Sequence, residues 1–520
     1  MFPTAAELQD RLAEAEIEMF LQRGSIDDGL LATAWYLHAV GSVRPALQLY
    51  SIDRQLRANQ VAAHIFDLAL ASGERAEAER QELTFAAQVS YLRGGLDPNA
   101  LALYRRLQRS HPRLSDTPGE VSLDIGSALL ALDRYRLFPL IEALRAEAGS
   151  LRAVVGVADL IDTPYGSAAR VIEGCNELIV HLTYNQPDRL GRAQRLFDEA
   201  VDPPHAKQDL ISRWVAAHLR DIADDLGSSS VWAHLPPSIP PAAARAMTLG
   251  DPPVLSLWPP QLDLLRMTPS PLGPDTKRLM LSFPTSAGKT LIAQYIVAAH
   301  IASGAGAACV VVPTHSLGRE LQRDLDRRLA TMGVEVADAG PLGLPLPEGR
   351  PAVVMTPEKL AAHLRNEPER VLRDFSLFVI DEAHLLGDAD RGWVLESALS
   401  LLHEATLHSS HRIVLLSAAL GNRAHICSWL SVGSTPAQAF HHEWRGPRRA
   451  HALLGTDAVW DNAELIQQGA RARLVRRRVP LHGQIHVRTA PGKHRSLRTT
   501  EPIGTLLQAL RDGDWKREAT

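Results

Sequence analysis

Between residues 275 and 435 the chain alternates short, almost unbroken apolar runs with segments whose apolar residues recur at helical spacing. The runs are RLMLSF (278–283), AACVVV (307–312), AVVM (352–355), LFVI (377–380) and RIVLL (412–416). A strand with no polar alternation is buried on both faces, so the pattern predicts a parallel sheet covered by helices. A polar tag follows each run: PTSAGKT, PTHSL, TPEKL, DEAH and SAAL. Ligands of such sheets bind beyond the carboxyl ends of the strands, where all five tags fall.

Residues 1–250 read as helix after helix. In LDPNALALYRRLQRSHPR, Asp97 can cap, Pro98 fits the first helical position, and Ala100, Leu103, Tyr104 and Leu107 form one apolar stripe. RLGRAQRLFDEAVDPPHAKQ repeats the logic, with Pro203 and Pro204 as its stop. RPALQLY and PNALALY are alike, as in stacked helical hairpins, but no fixed period joins them. The helical half is read as a scaffold, or as a surface for a partner or substrate. The prolines of LPPSIPPAAARAM and GDPPVLSLWPPQ mark a linker that continues neither helix nor sheet. Residues 441–520 are locally basic, with RGPRRAH and ARARLVRRRVPLHGQIHVR, and GQIHVRTA alternates like an exposed strand. The expected domains are therefore an all-helical 1–250, an α/β 251–440 and a basic connector 441–520.

With 45% hydrophobic and 22% charged residues, the composition is that of a folded soluble chain, long enough for roughly two to four domains. A formal charge of −4 excludes a uniformly basic nucleic-acid glove and makes any such contact local. Cys175, Cys309 and Cys427 are far apart and in no metal-ligand spacing, which points to a reducing compartment. No apolar run approaches the ~20 residues that span a bilayer. The N-terminal stretch lacks the apolar core of a secretory signal. A cytoplasmic location without membrane attachment is expected.

The loop between RLMLSF and the helix after it leaves backbone N–H groups unpaired, which makes an anion site reinforced by the helix dipole. Lys289 would reach the β- and γ-phosphates and the Thr290 hydroxyl a magnesium ion. The strict phosphate-loop pattern is not met, because Phe283 stands where its first glycine belongs. Asp381, at the end of a buried run, suits a magnesium ligand acting through water, and Glu382 could polarise an attacking water. The alternative for the two acids is to cap the helix that follows.

In this order, PTSAGKT, VVVPTHSL, MTPEKL, VIDEAHLLGDADRGWVLE and LLSAALGN resemble the first RecA-like lobe of a superfamily-two DEAD/DEAH-box helicase. LLGDADRGWVLE and SAALGN lean toward its Ski-like branch. The resemblance covers about residues 255–450 and implies a RecA-like P-loop lobe that uses ATP and Mg2+. By position, Gln261 matches the glutamine that reads adenine, while Thr285, Ser286, Ala287, Gly288, Lys289 and Thr290 match the phosphate cradle. Asp381 and Glu382 match the magnesium and water residues. His384, through Ser417, would link the nucleotide site to the strand-reading surface. Pro313, Thr314, Thr356 and Pro357 match motifs that touch the sugar-phosphate backbone of one nucleic-acid strand, DNA or RNA, without regard to sequence.

Two departures qualify the match. The family's Ser-Ala-Thr is Ser417-Ala418-Ala419 here, so a hydroxyl tied to coupling is absent. Nothing after Ala419 resembles a second lobe, so the sequence is expected to be a truncated product, a fragment or half of a split enzyme. A separate chain would supply the missing lobe, and without its arginine a loss on the order of 10³ in turnover is expected. The leading reading is an ATP-dependent helicase or its N-terminal portion. The rivals are a signalling or assembly ATPase with a helical partner-binding half, and a nucleic-acid binder with a vestigial ATP site.

Overall fold

The computed structural model describes residues 12, 26–43, 49–71, 75–107, 117–139, 141–142, 165–202, 209–284, 287–340, 345–388, 392–418, 422–432, 436–442, 444, 484–490 and 493–498. Ser25–Pro447 form one compact unit, and Met1–Gly24 with Arg448–Thr520 a second. In the second, β8 (Gln484–Ala490) and β9 (Lys493–Arg498) pair antiparallel, and β8 covers most of the run expected to be a strand.

Seven strands make the sheet of the larger unit: β1 (Arg278–Ser282), β2 (Ala308–Val311), β3 (Val336–Asp338), β4 (Ala352–Met355), β5 (Leu377–Ile380), β6 (Arg412–Ser417) and β7 (Gln438–His441). Their order is β3-β4-β2-β5-β6-β1-β7, and every pairing is parallel. The five apolar runs are the five inner strands, buried at every residue. Successive side chains alternate between two cores, as the pleat requires. Leu279, Leu281, Val310, Val379 and Val414 enter one, while Met280, Cys309, Phe378, Ile380 and Ile413 enter the other.

The helical half holds α1 (Asp28–Gly41), α2 (Ile52–Ala71), α3 (Glu77–Arg93), α4 (Asp97–Leu107), α5 (Pro118–Leu130), α6 (Tyr165–Tyr184), α7 (Pro187–Val201) and α8 (Leu210–Ser228). Most pack on their sequence neighbours, and α8 packs also on α5 and α6. Ala100, Leu103 and Tyr104 of the expected stripe are buried. The side chain of Leu107, the pair Pro203-Pro204 and most of RPALQLY lie outside the described residues. At the centre, His38 and His218 meet Nε2 to Nε2 at 3.2 Å, ringed by Trp35, Phe66, Phe85 and Trp214. Burial lowers the His38 pKa to about 4 and that of His218 well below its ordinary value.

The proline-rich stretch is not a linker. Pro241 and Pro259 occupy first helical positions, where the missing N–H costs nothing, and they open α9 (Pro241–Leu249) and α10 (Pro259–Leu265). Ala243, Ala244, Ala246 and Met247 of α9 are fully buried in a sheet core. Helix α9 contacts α6 as well as α11 (Lys289–Ala302) and α12 (His315–Leu329). Thr248 Oγ1 donates to Thr183 O at 2.9 Å, and Arg328 of α12 donates to Met247 O at 3.4 Å and Pro252 O at 3.1 Å. The segment therefore fastens the helical half to the lobe. Among the described residues, the helices α13 (Pro357–Asn366), α14 (Pro368–Asp374), α15 (Gly392–Ala405) and α16 (Arg423–Leu430) also belong to the larger unit.

Candidate active site

Because the strands are parallel, the loops after β1, β2, β4, β5 and β6 emerge along one edge. After β1, Phe283 N–H donates to Ser417 O at 3.0 Å, which ties the start of the loop to the end of β6. Gly288 precedes α11 with φ 82, a left-handed conformation that costs glycine little, and no side chain caps the helix. A Cβ at Gly288 would stand 2.1 Å from Gln261 Nε2. Gln261 is 1% exposed, accepts from Trp258 N–H at 2.9 Å and donates to Ala287 O at 3.3 Å. Its amide therefore packs against the loop at Ala287 and Gly288. Ala287 and Lys289 are buried and Thr290 is exposed. Thr285 and Ser286 lie outside the described residues.

The acids emerge from β5, one strand away from β1 across β6. Lys289 Nζ lies 3.5 Å from Glu382 Oε2, and His384 Nδ1 lies 3.0 Å from the same oxygen. Glu382 has φ 53, a left-handed backbone that is uncommon for a non-glycine residue and clusters at functional sites. Asp381 N–H donates to Val311 O at 2.9 Å, and Asp381 Oδ1 accepts from Glu382 N–H at 2.8 Å. Burial raises the Asp381 pKa. The bond from Glu382 N–H opposes that shift, the Glu382 carboxylate adds to it, and Lys289 and His384 counter it. A half-buried carboxylate beside a second one suits a hard divalent cation.

Ser417, paired in register with Ser282, is fully buried, and its hydroxyl has no hydrogen-bond partner among the described residues. The contact from His384 to Ser417 that the resemblance implies is not formed, because His384 turns to Glu382 instead. Ala419 lies outside the described residues.

The other two tags lie side by side, since Val311 is paired with Met355 and Val312 N–H donates to Met355 O at 3.0 Å. Thr314 caps α12, accepting from Leu317 N–H at 3.3 Å, with Pro313 just before it. Thr356, buried, precedes α13, and Pro357 is that helix's first residue. Lys289, Asp381, Glu382 and His384 thus converge. Ser417 lies buried at the end of β6, Gln261 packs against the loop, and Pro313, Thr314, Thr356 and Pro357 line the same edge over β2 and β4.

Trp258 belongs to none of the five tags. Its ring atom Cε3 lies 3.9 Å from where a Cβ on Gly288 would stand. The signal available was its place in LWPPQ, three residues before Gln261.

Residues 267–426 match the family model described as DEAD/DEAH box helicase. Over 182 residues the chain is 33% identical to the ATP-dependent DNA helicase Hel308 of Thermococcus kodakarensis, covering 34% of this chain and 15% of that one. Over 201 residues it is 32% identical to Hel308 of Pyrococcus abyssi, covering 36% and 25%. The alignments thus span a quarter or less of these relatives. Among solved structures, the DUF1998 helicase MrfA bound to DNA is similar over 40% of this chain and 30% of that one, with 19% identity and a TM-score of 0.32.

Proposed function

From a chain whose residues 267–426 are a DEAD/DEAH box helicase domain, we propose an ATP-dependent helicase whose first RecA-like lobe grips Mg-ATP at the carboxyl edge of its sheet. Single-stranded nucleic acid would cross the same edge over β2 and β4. The Ski-like assignment and a second lobe from another chain belong to this proposal. So does the division of labour between a helical half and a catalytic lobe.

The observation that carries the reading is the meeting of Lys289 with Glu382 at 3.5 Å. Two residues 93 positions apart are brought together above the end of β6. In this geometry the ammonium of Lys289 and the uncapped N–H groups of α11 would hold phosphate oxygens. Asp381 and the Thr290 hydroxyl would hold Mg2+, which would neutralise charge on the phosphates. Glu382 Oε2, now shared by Lys289 and His384, would be released once phosphate engages the lysine. It could then accept a proton from the attacking water. Gln261, bonded to the loop at Ala287 O, would read the adenine.

Fluorescent-nucleotide binding to the full chain tests the reading. Lys289→Ala should weaken Mg-nucleotide binding by about 10- to 100-fold, the range of a charge-assisted phosphate contact. Glu382→Gln should retain binding and lose hydrolysis. Oligonucleotide affinity should fall as salt rises. Unchanged affinity in Lys289→Ala would overturn the nucleotide site, and indifference to oligonucleotides would favour the assembly ATPase.

A further inference from the structure

We propose that Trp444 is a positioning residue through which the helical half sets the phosphate loop's hold on nucleotide; the inference rests on reading that loop as a nucleotide site. A continuous series of contacts runs between them. Helix α3 ends at Arg93, and Gly95, with φ 67, closes the turn by donating to Leu92 O at 3.1 Å. Leu96 N–H donates to Tyr91 O at 2.8 Å. The carbonyl of Gly95 accepts from Trp444 Nε1 at 3.3 Å. The Trp444 ring stands 5.9 Å from that of Trp258, inclined at 40°. Trp258 N–H in turn holds Gln261 Oε1, and Gln261 Nε2 holds Ala287 O in the loop.

The series has little slack at either end. Gln261 is 1% exposed, and its amide oxygen and nitrogen are both bonded to backbone. A displaced Trp258 must therefore break a buried bond or carry Gln261, and the loop, with it. The segment bearing Trp444 is also anchored. His442 N–H donates to Ser282 O at 3.2 Å, and His442 Nε2 lies 3.3 Å from Asp263 Oδ2 on α10. Trp444 is thus held between α10 and the Gly95 turn. Anything that moves that turn, such as a partner on the helical half, shifts Gln261 against the loop. Linkage requires the reverse as well: nucleotide on the loop must steady the turn.

The test uses the full chain, Mg2+ and N-methylanthraniloyl-ADP, with hydrogen exchange of the Gly95 and Leu96 amides as the second readout. Trp444→Ala should weaken binding at least about fivefold, the lower end of measured site-to-site coupling. In the wild type nucleotide should slow exchange at Gly95 and Leu96, and in Trp444→Ala this protection should vanish. Trp444→Phe keeps a ring against Trp258 and removes the donor to Gly95. It should lose the remote protection and, by the same linkage, weaken nucleotide binding by a similar factor, which a merely packing tryptophan would not do. The proposal is overturned if Trp444→Ala binds like the wild type, or if protection persists in Trp444→Phe. Should Trp444→Ala not fold, Trp444→Phe alone decides. A wild type that binds no N-methylanthraniloyl-ADP overturns the nucleotide site itself.

Discussion

Gly288→Ala isolates the contact between Gln261 and the loop after β1. The methyl group meets two penalties. At φ 82 an L-residue is strained by about 1–2 kcal/mol. It would also stand 2.1 Å from Gln261 Nε2, so the amide must move. Displacement breaks the bonds to Trp258 N–H and Ala287 O, two buried bonds of about 1 kcal/mol each. Gly288→Ala should therefore cost about 3 kcal/mol, and Gln261→Ala, which loses the same two bonds, about 2 kcal/mol. Independent sites would add to about 5 kcal/mol. In the double variant the methyl has no amide to displace and only the backbone strain is added, so the total should stay near 3 kcal/mol. Urea denaturation of the four proteins measures this coupling of about 2 kcal/mol. Additive losses would refute the idea that Gln261 sits against the loop because residue 288 has no side chain.

Two further predictions concern stability away from the loop. His38 stays neutral in the folded chain down to about pH 4 while the unfolded chain protonates near 6.5, so its contribution is lost as pH falls between those values. At pH 5 the loss is about 2 kcal/mol. Asp97 and Asp124, each raised to about 6, act oppositely, holding protons the unfolded state has released. The difference between wild type and His38→Gln reports His38 together with its effect on His218, whose pKa it helps to lower. On going from pH 7 to pH 5 the variant should lose about 2 kcal/mol less in denaturant titrations, and an equal loss would refute the assignment. Arg278, at the opposite end of β1 from the loop, donates to His411 O, Thr406 O and Thr406 Oγ1. Arg278→Leu should lower stability by about 3 kcal/mol and leave nucleotide affinity unchanged, as calorimetry and fluorescent-nucleotide binding would show.

The inner strands were legible because burial on both faces writes an unbroken apolar run. The edge strands were not. β3 is VAD and β7 is QAFH, and a strand with a neighbour on only one side keeps polar, half-exposed positions that resemble a loop. The prolines misled because the same residue ends one helix and starts another. Position decides which, and a local reading does not distinguish a first helical turn from a break. In the site, the order of tags was enough to bring Lys289 and Glu382 together. The aim of a side chain was less accessible. Gln261 faces the backbone of Ala287, 26 residues away, which no local pattern announces, and His384 turns to Glu382, two residues before it, rather than toward β6.

The burial of α9 against both α6 and α11 bears on how the polypeptide can be divided. A cut at the change of pattern near residue 275 would strip away Met247 and its alanine neighbours and uncover an oily socket on one face of the sheet. A cut just before α9 would instead leave Thr183 and its surroundings bare on the other side. Because α9 is buried against both, heating should melt the helical half and the sheet together, and two separate calorimetric transitions would refute this. Any event that loosens the first half would be felt as a loss of order in the second.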